Sequence, residues 1–290
     1  MMKTIFAFIL FSTAASASAE DFRPNIGPDL PSITVECGEV TILLRQSTQW
    51  TPGRIDFRGT PMTTERSAYG TVFRYPEIGF IGTAHLENEP EDLQSLSFFL
   101  DGKELTTPEA KLKGESFRFV RESKIRGFLL TNIIEIKGNC LYETTTIKTN
   151  VETPLSLVYH FMHAWTPTVS ELIAGNDDQP DDDIYQPLLD DDNVSRLFYI
   201  NRAVDWLSVY EPNSGQFAVS RILEVPEETE SISTIWNVPN TYRKYYLRVF
   251  QNQTVPKDFN GTWKMVTAFG CETSDKWQPA AKVLVKKLIE

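Results

Sequence analysis

The chain has 290 residues, of which 41% are hydrophobic and 12% aromatic, so it can build a large buried core. It carries 39 acidic and 28 basic side chains, a formal net charge of −11. That balance disfavours a nucleic acid or an anionic membrane surface as a partner, because both would repel the protein.

Residues 1–19 contain the three regions of a secretory signal peptide in their usual order. Lys3 gives a basic start, residues 5–11 form a short apolar run, and Ala17-Ser-Ala19 is a small-residue cleavage site. The run is too short to cross a bilayer, and no other stretch approaches the required length of about 20 residues. We therefore expect a secreted or periplasmic protein with no membrane span.

A lead over residues 20–32 is followed by many short strand-like runs separated by turn signals. The earlier runs are 33–44, 54–58, 70–75, 79–84, 93–100, 117–121, 127–137 and 141–149. The later runs are 155–163, 197–200, 206–210, 216–223, 231–237, 245–251 and 263–269. No long segment repeats apolar residues at helical spacing. The pattern predicts an all-β fold, with one large antiparallel β-sandwich domain over residues 33–290.

An early strand alternates charge with apolar bulk. Arg54, Asp56 and Arg58 share one face of this strand, while Ile55 and Phe57 share the other. Such a face can form a polar platform that binds hydroxyls or a carboxylate. The alternative is an exposed ladder of ion pairs.

His85 follows an apolar strand and enters a loop that contains Glu87 and Glu89. Nearby carboxylates favour the charged form of a histidine. A histidine at the end of a strand, among polar groups, suits a ligand contact or a role in stabilising the loop.

Two further histidines, His160 and His163, lie at the end of a predicted strand. Strict alternation puts His160 on the less apolar face, and His163 on the core face unless a bulge intervenes. Histidine is a candidate proton carrier because its unperturbed pKa lies near neutral pH. Hydrogen-bonded structural roles for both remain the alternative.

The segment 175–193 holds eight aspartates. It can bind calcium through oxygen ligands, or it can be a solvated acidic loop, since it lacks the spacing and glycine of a known calcium loop. Cys37, Cys140 and Cys271 lack metal-ligand spacing. One pair among them can form a disulfide, in any of three pairings, or all three can be buried as small apolar residues.

Near the C-terminus, Glu272 shares a strand face with Ala268 and Gly270. Small neighbours beside a carboxylate leave room for a ligand. A carboxylate at a strand end can act as a general base, with His160 as the matching general acid.

Three segments together resemble the galactose mutarotase (aldose 1-epimerase) superfamily. The segment 154–162 is similar to the family's strand that ends in the acid histidine, and Gly270-Cys-Glu272-Thr is similar to the strand that carries the catalytic glutamate. Gly82-Thr-Ala-His85 occupies the place of the earlier substrate-binding histidine, and Arg54 or Arg66 corresponds to the binding arginine. The chain order arginine, histidine, histidine, glutamate is kept.

The resemblance implies a β-supersandwich that acts on a sugar without a metal or an organic cofactor. Glu272 would take a proton from the anomeric hydroxyl, and His160 would give one to the ring oxygen. Arg54, Arg66, His85, His163 and Trp165 are the expected sugar contacts.

Three functions stay open at this point. The first is anomer or epimer interconversion by an isomerase. The second is a polysaccharide lyase-like reaction on a uronate polymer, whose carboxylate an early arginine would neutralise. The third is non-catalytic glycan binding on the same fold. The ligand is a carbohydrate in all three, and the sequence does not indicate an oligomeric state.

Overall fold

The computed structural model describes residues 31–65, 69–85, 88–179, 182–190, 198–227 and 229–289. Strands β1 to β8 span Ser32–Cys37, Val40–Arg45, Pro52–Phe57, Thr60–Pro61, Val72–Tyr75, Gly79–Gly82, Asp92–Leu100 and Lys103–Leu105. Strands β9 to β16 span Lys111–Gly114, Ser116–Ile125, Phe128–Lys137, Cys140–Thr149, Thr153–Leu155, Leu157–Trp165, Glu171–Gly175 and Ile184–Pro187. Strands β17 to β23 span Phe198–Arg202, Trp206–Glu211, Gln216–Glu224, Ser231–Val238, Tyr242–Val249, Gln253–Val255 and Asn260–Cys271. Helix α1 covers Trp277–Lys287, and a 3-10 turn covers Gln46–Thr48.

The described strands form four sheets, of ten, six, five and two strands. The largest has ten strands in the order β16-β15-β18-β19-β23-β12-β11-β10-β7-β8. A six-stranded sheet has the order β17-β20-β21-β14-β5-β6, and a five-stranded sheet the order β4-β3-β2-β1-β9. Strands β13 and β22 pair separately. Pairing is antiparallel except between β1 and β9, so the predicted all-β antiparallel sandwich is confirmed.

Alternating side chains explain why these strands pack as layers. Along β10, the residues at odd positions from Phe117 to Ile125 are buried, and the even positions face outward. Phe73 of β5 stacks on Phe128 of β11 at 4.7 Å, and Phe57 of β3 stacks on Phe269 of β23 at 5.7 Å. The six-stranded and five-stranded sheets therefore cover the same inner face of the ten-stranded sheet, and the main core lies between them.

Helix α1 covers part of the other face of the ten-stranded sheet. Its buried side chains are Trp277, Ala281 and Val285, and the Trp277 ring stacks on Tyr210 at 5.0 Å. This helix corrects the expectation that apolar residues do not recur at helical spacing. The repeat is short and lies among lysines, so it is weaker than the strand patterns.

The predicted signal peptide and nearly all of the lead lie outside the described residues. Among those described, the structure has no helix with the length and hydrophobicity needed to cross a membrane.

Candidate functional site

A β-bulge in β14 sets the direction of both histidines of that strand. His160 pairs with Leu247 but His163 pairs with Tyr245, so one extra residue is present between them. Phe161, inside the bulge, adopts the left-handed backbone conformation, with φ of 54°, which is unfavourable for a bulky residue. The bulge puts His160 and His163 on the same face, toward the ten-stranded sheet. Strict alternation predicts that the two histidines face opposite ways. The bulge adds one residue between them, so they face the same way.

His160 is completely buried. Its ring packs on Trp263 with centroids 4.8 Å apart, and Nδ1 lies 3.3 Å from Thr71 Oγ1. Burial lowers the pKa of His160 to about 3, because the charged ring would lose its hydration. A ring that is neutral at neutral pH is a much weaker acid than an imidazolium, so the site does not support His160 as the expected acid.

His163 lies beside a carboxylate. Its Nε2 is 2.8 Å from Glu143 Oε2 of β12, and the two side chains are 2% and 12% exposed. An ionised carboxylate only accepts hydrogen bonds, so in the neutral ring Nε2 carries the proton and Nδ1 carries the lone pair. That Nδ1 is buried and has no hydrogen-bond partner in the described structure.

A polar ladder crosses the inner face of the ten-stranded sheet next to this pair. Arg121, Asn132, Thr145 and Trp263 are directly opposite one another on four neighbouring strands. Arg121 Nη2 donates to Asn132 Oδ1 at 2.8 Å, and Asn132 Nδ2 donates to Thr145 Oγ1 at 2.9 Å.

The ladder and the bulge enclose a small cavity of about 30 Å³. This is room for about two water molecules and not for a sugar ring. Its walls include Tyr69, Arg121, Asn132, Glu143 and His163. The pyranose-sized hollow expected from the sequence is not formed at this place.

On the other face of β14, His85 lies in an aromatic cluster. Its ring stacks on Tyr69 at 4.0 Å and on Phe80 at 5.4 Å, and its Nε2 lies 2.9 Å from Tyr159 Oη. Lys244 Nζ lies 4.6 Å from the centroid of the Tyr69 ring. Tyr69 also lines the cavity, so it connects this cluster with the His163–Glu143 pair.

Glu272 is not close to His160. It follows the last residue of β23, nine residues beyond the Trp263 that contacts His160, a separation of roughly 30 Å along an extended strand. It lines a different groove, between α1 and the end of β23. The expected pairing of these two residues across one sugar ring is therefore wrong, because His160 lies over Trp263 near one end of β23 and Glu272 follows the other end of that strand.

Two further predicted contacts, Arg54 and Trp165, do not line the cavity. Arg54 is ion-paired to Asp56 at 2.7 Å and Arg58 to Glu39 at 2.8 Å, so the early strand is a ladder of ion pairs and not an open platform. Trp165 is 0% exposed and packs edge-on against His163, which makes it a core residue and corrects its expected stacking on a sugar. Arg66 lies outside the described residues.

Three of the five described aspartates of the acidic segment form ion pairs. Asp177 binds Arg221, Asp183 binds Lys282, and Asp190 binds Arg243 at 2.8 Å. No group of three metal-binding side chains is found within the described ranges.

The three cysteines are free thiols. Cys37 is buried, which raises its pKa to about 11, whereas Cys271 is exposed.

Sequence reasoning did not identify Arg121, Asn132 or Glu143. A signal was present, because Arg121 is in phase with Phe117 and Phe119, which marks it as an inward-facing charge.

The comparison with known proteins rests on structure. No protein-family model matches the sequence, and no curated protein matches it significantly. A galactose mutarotase-like protein from Lactobacillus casei is 9% identical with a TM-score of 0.51, and the match covers 82% of this chain and 100% of that one. The Slr1438 protein from Synechocystis is 12% identical with a TM-score of 0.50, covering 84% and 98%.

An α-galactosidase from Lactobacillus brevis is 7% identical with a TM-score of 0.52, and here the match covers 85% of this chain but 40% of the larger enzyme. At such low identities the likeness concerns the fold and carries no substrate with it. The all-β sandwich of this chain therefore has the fold of galactose mutarotase-like proteins.

Proposed function

We propose that this protein acts on a sugar at the cavity under the β14 bulge, with His163 as the proton carrier and Glu143 as the group that orients it. The hydrogen bond of 2.8 Å between His163 Nε2 and Glu143 Oε2 carries this proposal. It revises the pair expected from the sequence, since Glu272 and His160 lie far apart.

The pair has the arrangement of a general base. Glu143 fixes the proton of His163 on Nε2, which leaves the lone pair of Nδ1 to accept a proton from a hydroxyl. When Nδ1 is protonated, the neighbouring carboxylate stabilises the imidazolium that forms. The same ring can then return the proton to another oxygen, as an interconversion of anomers requires.

The cavity limits how a sugar can approach. A volume of about 30 Å³ admits one substituent of the ring, such as a hydroxyl or hydroxymethyl group, while the ring itself stays outside. Tyr69 forms part of the cavity wall and stacks on His85, so aromatic rings lie beside the cavity.

Proton NMR exchange between anomers tests the reaction, with a panel of free aldoses as substrates. We expect the protein to accelerate exchange of at least one sugar, and His163→Asn to lose about a hundredfold or more of that acceleration. Glu143→Gln should also be slower, because it no longer holds the charged ring. Glu272→Gln is the matched control and should behave as the unmodified protein. An unchanged rate in His163→Asn would refute the proposed carrier.

Non-catalytic glycan binding is the second candidate, and the small cavity favours it because no ring can enter. Saturation-transfer NMR separates the two. Binding of a sugar without acceleration of its anomer exchange would assign the protein to this class.

We also propose that the protein is exported, on the basis of the N-terminal pattern of Lys3, an apolar run and Ala17-Ser-Ala19. The mass of protein recovered from outside the cytoplasm should correspond to a chain that begins at Glu20. A chain that retains Met1 and stays in the cytoplasm would contradict export.

A further inference from the structure

Arg121 is a buried cation with one unused hydrogen-bond donor. The residue is 2% exposed. Nη1 donates to Gln49 O at 2.9 Å and to Thr51 Oγ1 at 3.4 Å, while Nη2 donates to Thr83 Oγ1 at 2.9 Å and to Asn132 Oδ1 at 2.8 Å. Nε is buried without a partner in the described structure. Because a guanidinium has five N–H donors, the Nε–H is the one that remains.

A comparison with Arg243 shows what distinguishes Arg121. Arg243 is also 2% exposed, also makes four hydrogen bonds through its Nη atoms, and also has a buried Nε without a partner in the described structure. One of its acceptors is the carboxylate of Asp190 at 2.8 Å, so its charge is paired. Within the described ranges Arg121 makes no ion pair, and Glu91 acts on its charge only from beyond that distance. Arg121 also lines the cavity, whereas Arg243 does not.

The charge of Arg121 stays in the interior. Burial lowers the pKa of Arg121, yet an arginine remains protonated in proteins. A buried charge without a paired ion is destabilising. A negative charge that forms beside it is strongly stabilised, because little water is present to screen the attraction. Arg121 is therefore placed to stabilise a negative charge that develops in the cavity during a reaction.

The cavity offers one unused donor and one unused acceptor from facing sheets. The donor is Arg121 Nε–H on β10, and the acceptor is Nδ1 of His163 on β14. A cavity with room for about two waters brings the groups that line it within reach of a single hydroxyl. A hydroxyl both donates and accepts, so it can donate to Nδ1 and accept from Nε–H at the same time.

From these observations we infer that Arg121 is a catalytic residue of the proposed reaction, whose Nε–H donates to the same hydroxyl that gives its proton to His163. This inference rests on the proposed function and adds the group that stabilises the alkoxide. The O–H bond of the anomeric hydroxyl breaks, the proton bonds to Nδ1, and the electron pair stays on the oxygen. That pair then forms the carbonyl as the ring C–O bond breaks, and the ring oxygen takes the proton from Nδ1.

The fixed charges of the site favour this transfer. Before it, the site holds the positive Arg121 and the negative Glu143, which binds the other nitrogen of the His163 ring at 2.8 Å. After it, the alkoxide lies beside Arg121 and the imidazolium lies beside Glu143, so that the four charges alternate in sign. Charges that are already in place stabilise the products of the transfer without reorganisation.

Anomer exchange of glucose, galactose, mannose and xylose is followed by NMR in the full chain, in Arg121→Gln and in the matched control Arg243→Gln. For the sugar that is accelerated most, we expect Arg121→Gln to lower kcat by about a hundredfold or more while KM changes by about threefold or less. Arg243→Gln should keep the kcat of the unmodified protein. The 2-deoxy-2-fluoro analogue of that sugar has a more acidic anomeric hydroxyl, so its loss of kcat in Arg121→Gln should be about tenfold smaller.

A measurement on the unmodified protein decides the matter if Arg121→Gln fails to fold. The nitrogen resonance of Arg121 Nε, assigned by through-bond correlation, should shift when the accelerated sugar saturates the protein. It should stay in place with the 1,5-anhydro analogue of that sugar, which lacks the anomeric hydroxyl.

Two results would overturn the role of Arg121 and leave the His163–Glu143 pair in place. One is an accelerated sugar that does not shift the Nε resonance at saturation. The other is an equal loss of kcat for the sugar and its fluoro analogue in a folded Arg121→Gln, since a purely structural role would not distinguish them. If the unmodified protein accelerates none of the four sugars, the proposed function itself is overturned.

Discussion

At the scale of single residues, burial separates the histidines by role. His160 packs on Trp263 and is fully enclosed, whereas His163 has a carboxylate partner and a cavity beside it. His85 lies outside the main core, hydrogen-bonded to Tyr159. The sequence analysis assigned His160 as the acid and His85 and His163 as sugar contacts, whereas the environments of the three rings favour His163 as the proton carrier.

The buried His160 should make the protein sensitive to acid. Its pKa is about 3 in the folded chain against 6.5 for the free group, so below pH 6.5 the unfolded state binds more protons. This group's contribution is complete above pH 6.5 and is lost as the pH falls toward 3, with a slope of up to roughly 1.4 kcal/mol per pH unit.

Urea denaturation between pH 4 and 7 measures that dependence. His160→Met keeps an uncharged side chain of similar length, so its free energy of unfolding should fall less steeply with acid than that of the unmodified protein. Parallel curves for the two proteins would show that His160 does not carry the effect.

At the scale of secondary structure elements, we expect the single described helix, α1, to contribute measurably to the free energy of unfolding of this mostly β protein. Trp277 is 0% exposed and stacks on Tyr210 of β18. Trp277→Ala should lower the free energy of unfolding by about 3–5 kcal/mol, through lost burial and the cavity left behind. Urea unfolding measures this change. Val283→Ala, on the same helix but 53% exposed, is the control and should change it by about 0.5 kcal/mol or less. An equal effect of both variants would mean that the helix does not pack as described.

The elements also show what the sequence could and could not predict. Alternation found β10, β11 and β12, because Phe117, Phe119 and their neighbours keep strict period two. It did not find the bulge at Phe161, which follows from pairing of β14 with β21 and has no local signal. Since the bulge decides which face His163 occupies, the pair with Glu143 was beyond prediction from one strand.

Distance along the strands explains why the predicted pairing of Glu272 with His160 is wrong. Glu272 matched a family motif locally, but whether it meets His160 depends on how far each lies along its own strand. The motif identified the fold correctly, and its segment 154–162 supplies Phe161 and Met162 to the cavity wall, next to His163. Arg121, Asn132 and Glu143 of the same wall come from β10, β11 and β12, which the motif does not include.

At the scale of the whole molecule, the described structure holds together without a covalent cross-link. Cys37 lies in the five-stranded sheet, and Cys140 and Cys271 lie in the ten-stranded sheet, all as free thiols. The main core contains side chains from both of those sheets and from the six-stranded sheet, so its burial of apolar surface is the main source of stability.

Such a protein should be indifferent to reducing agents, even though export would place it in an oxidising compartment. We expect the same thermal midpoint with and without dithiothreitol, because no disulfide constrains the unfolded chain. A thiol reagent should label the exposed Cys271 quickly in the native state, and Cys37 only after unfolding, since Cys37 is buried and its pKa is raised to about 11. Cys271→Ser is the control for the fast phase and should remove it. A midpoint that falls on reduction would show that two of these thiols are joined in the exported protein, and that its stability depends on a cross-link in addition to the core.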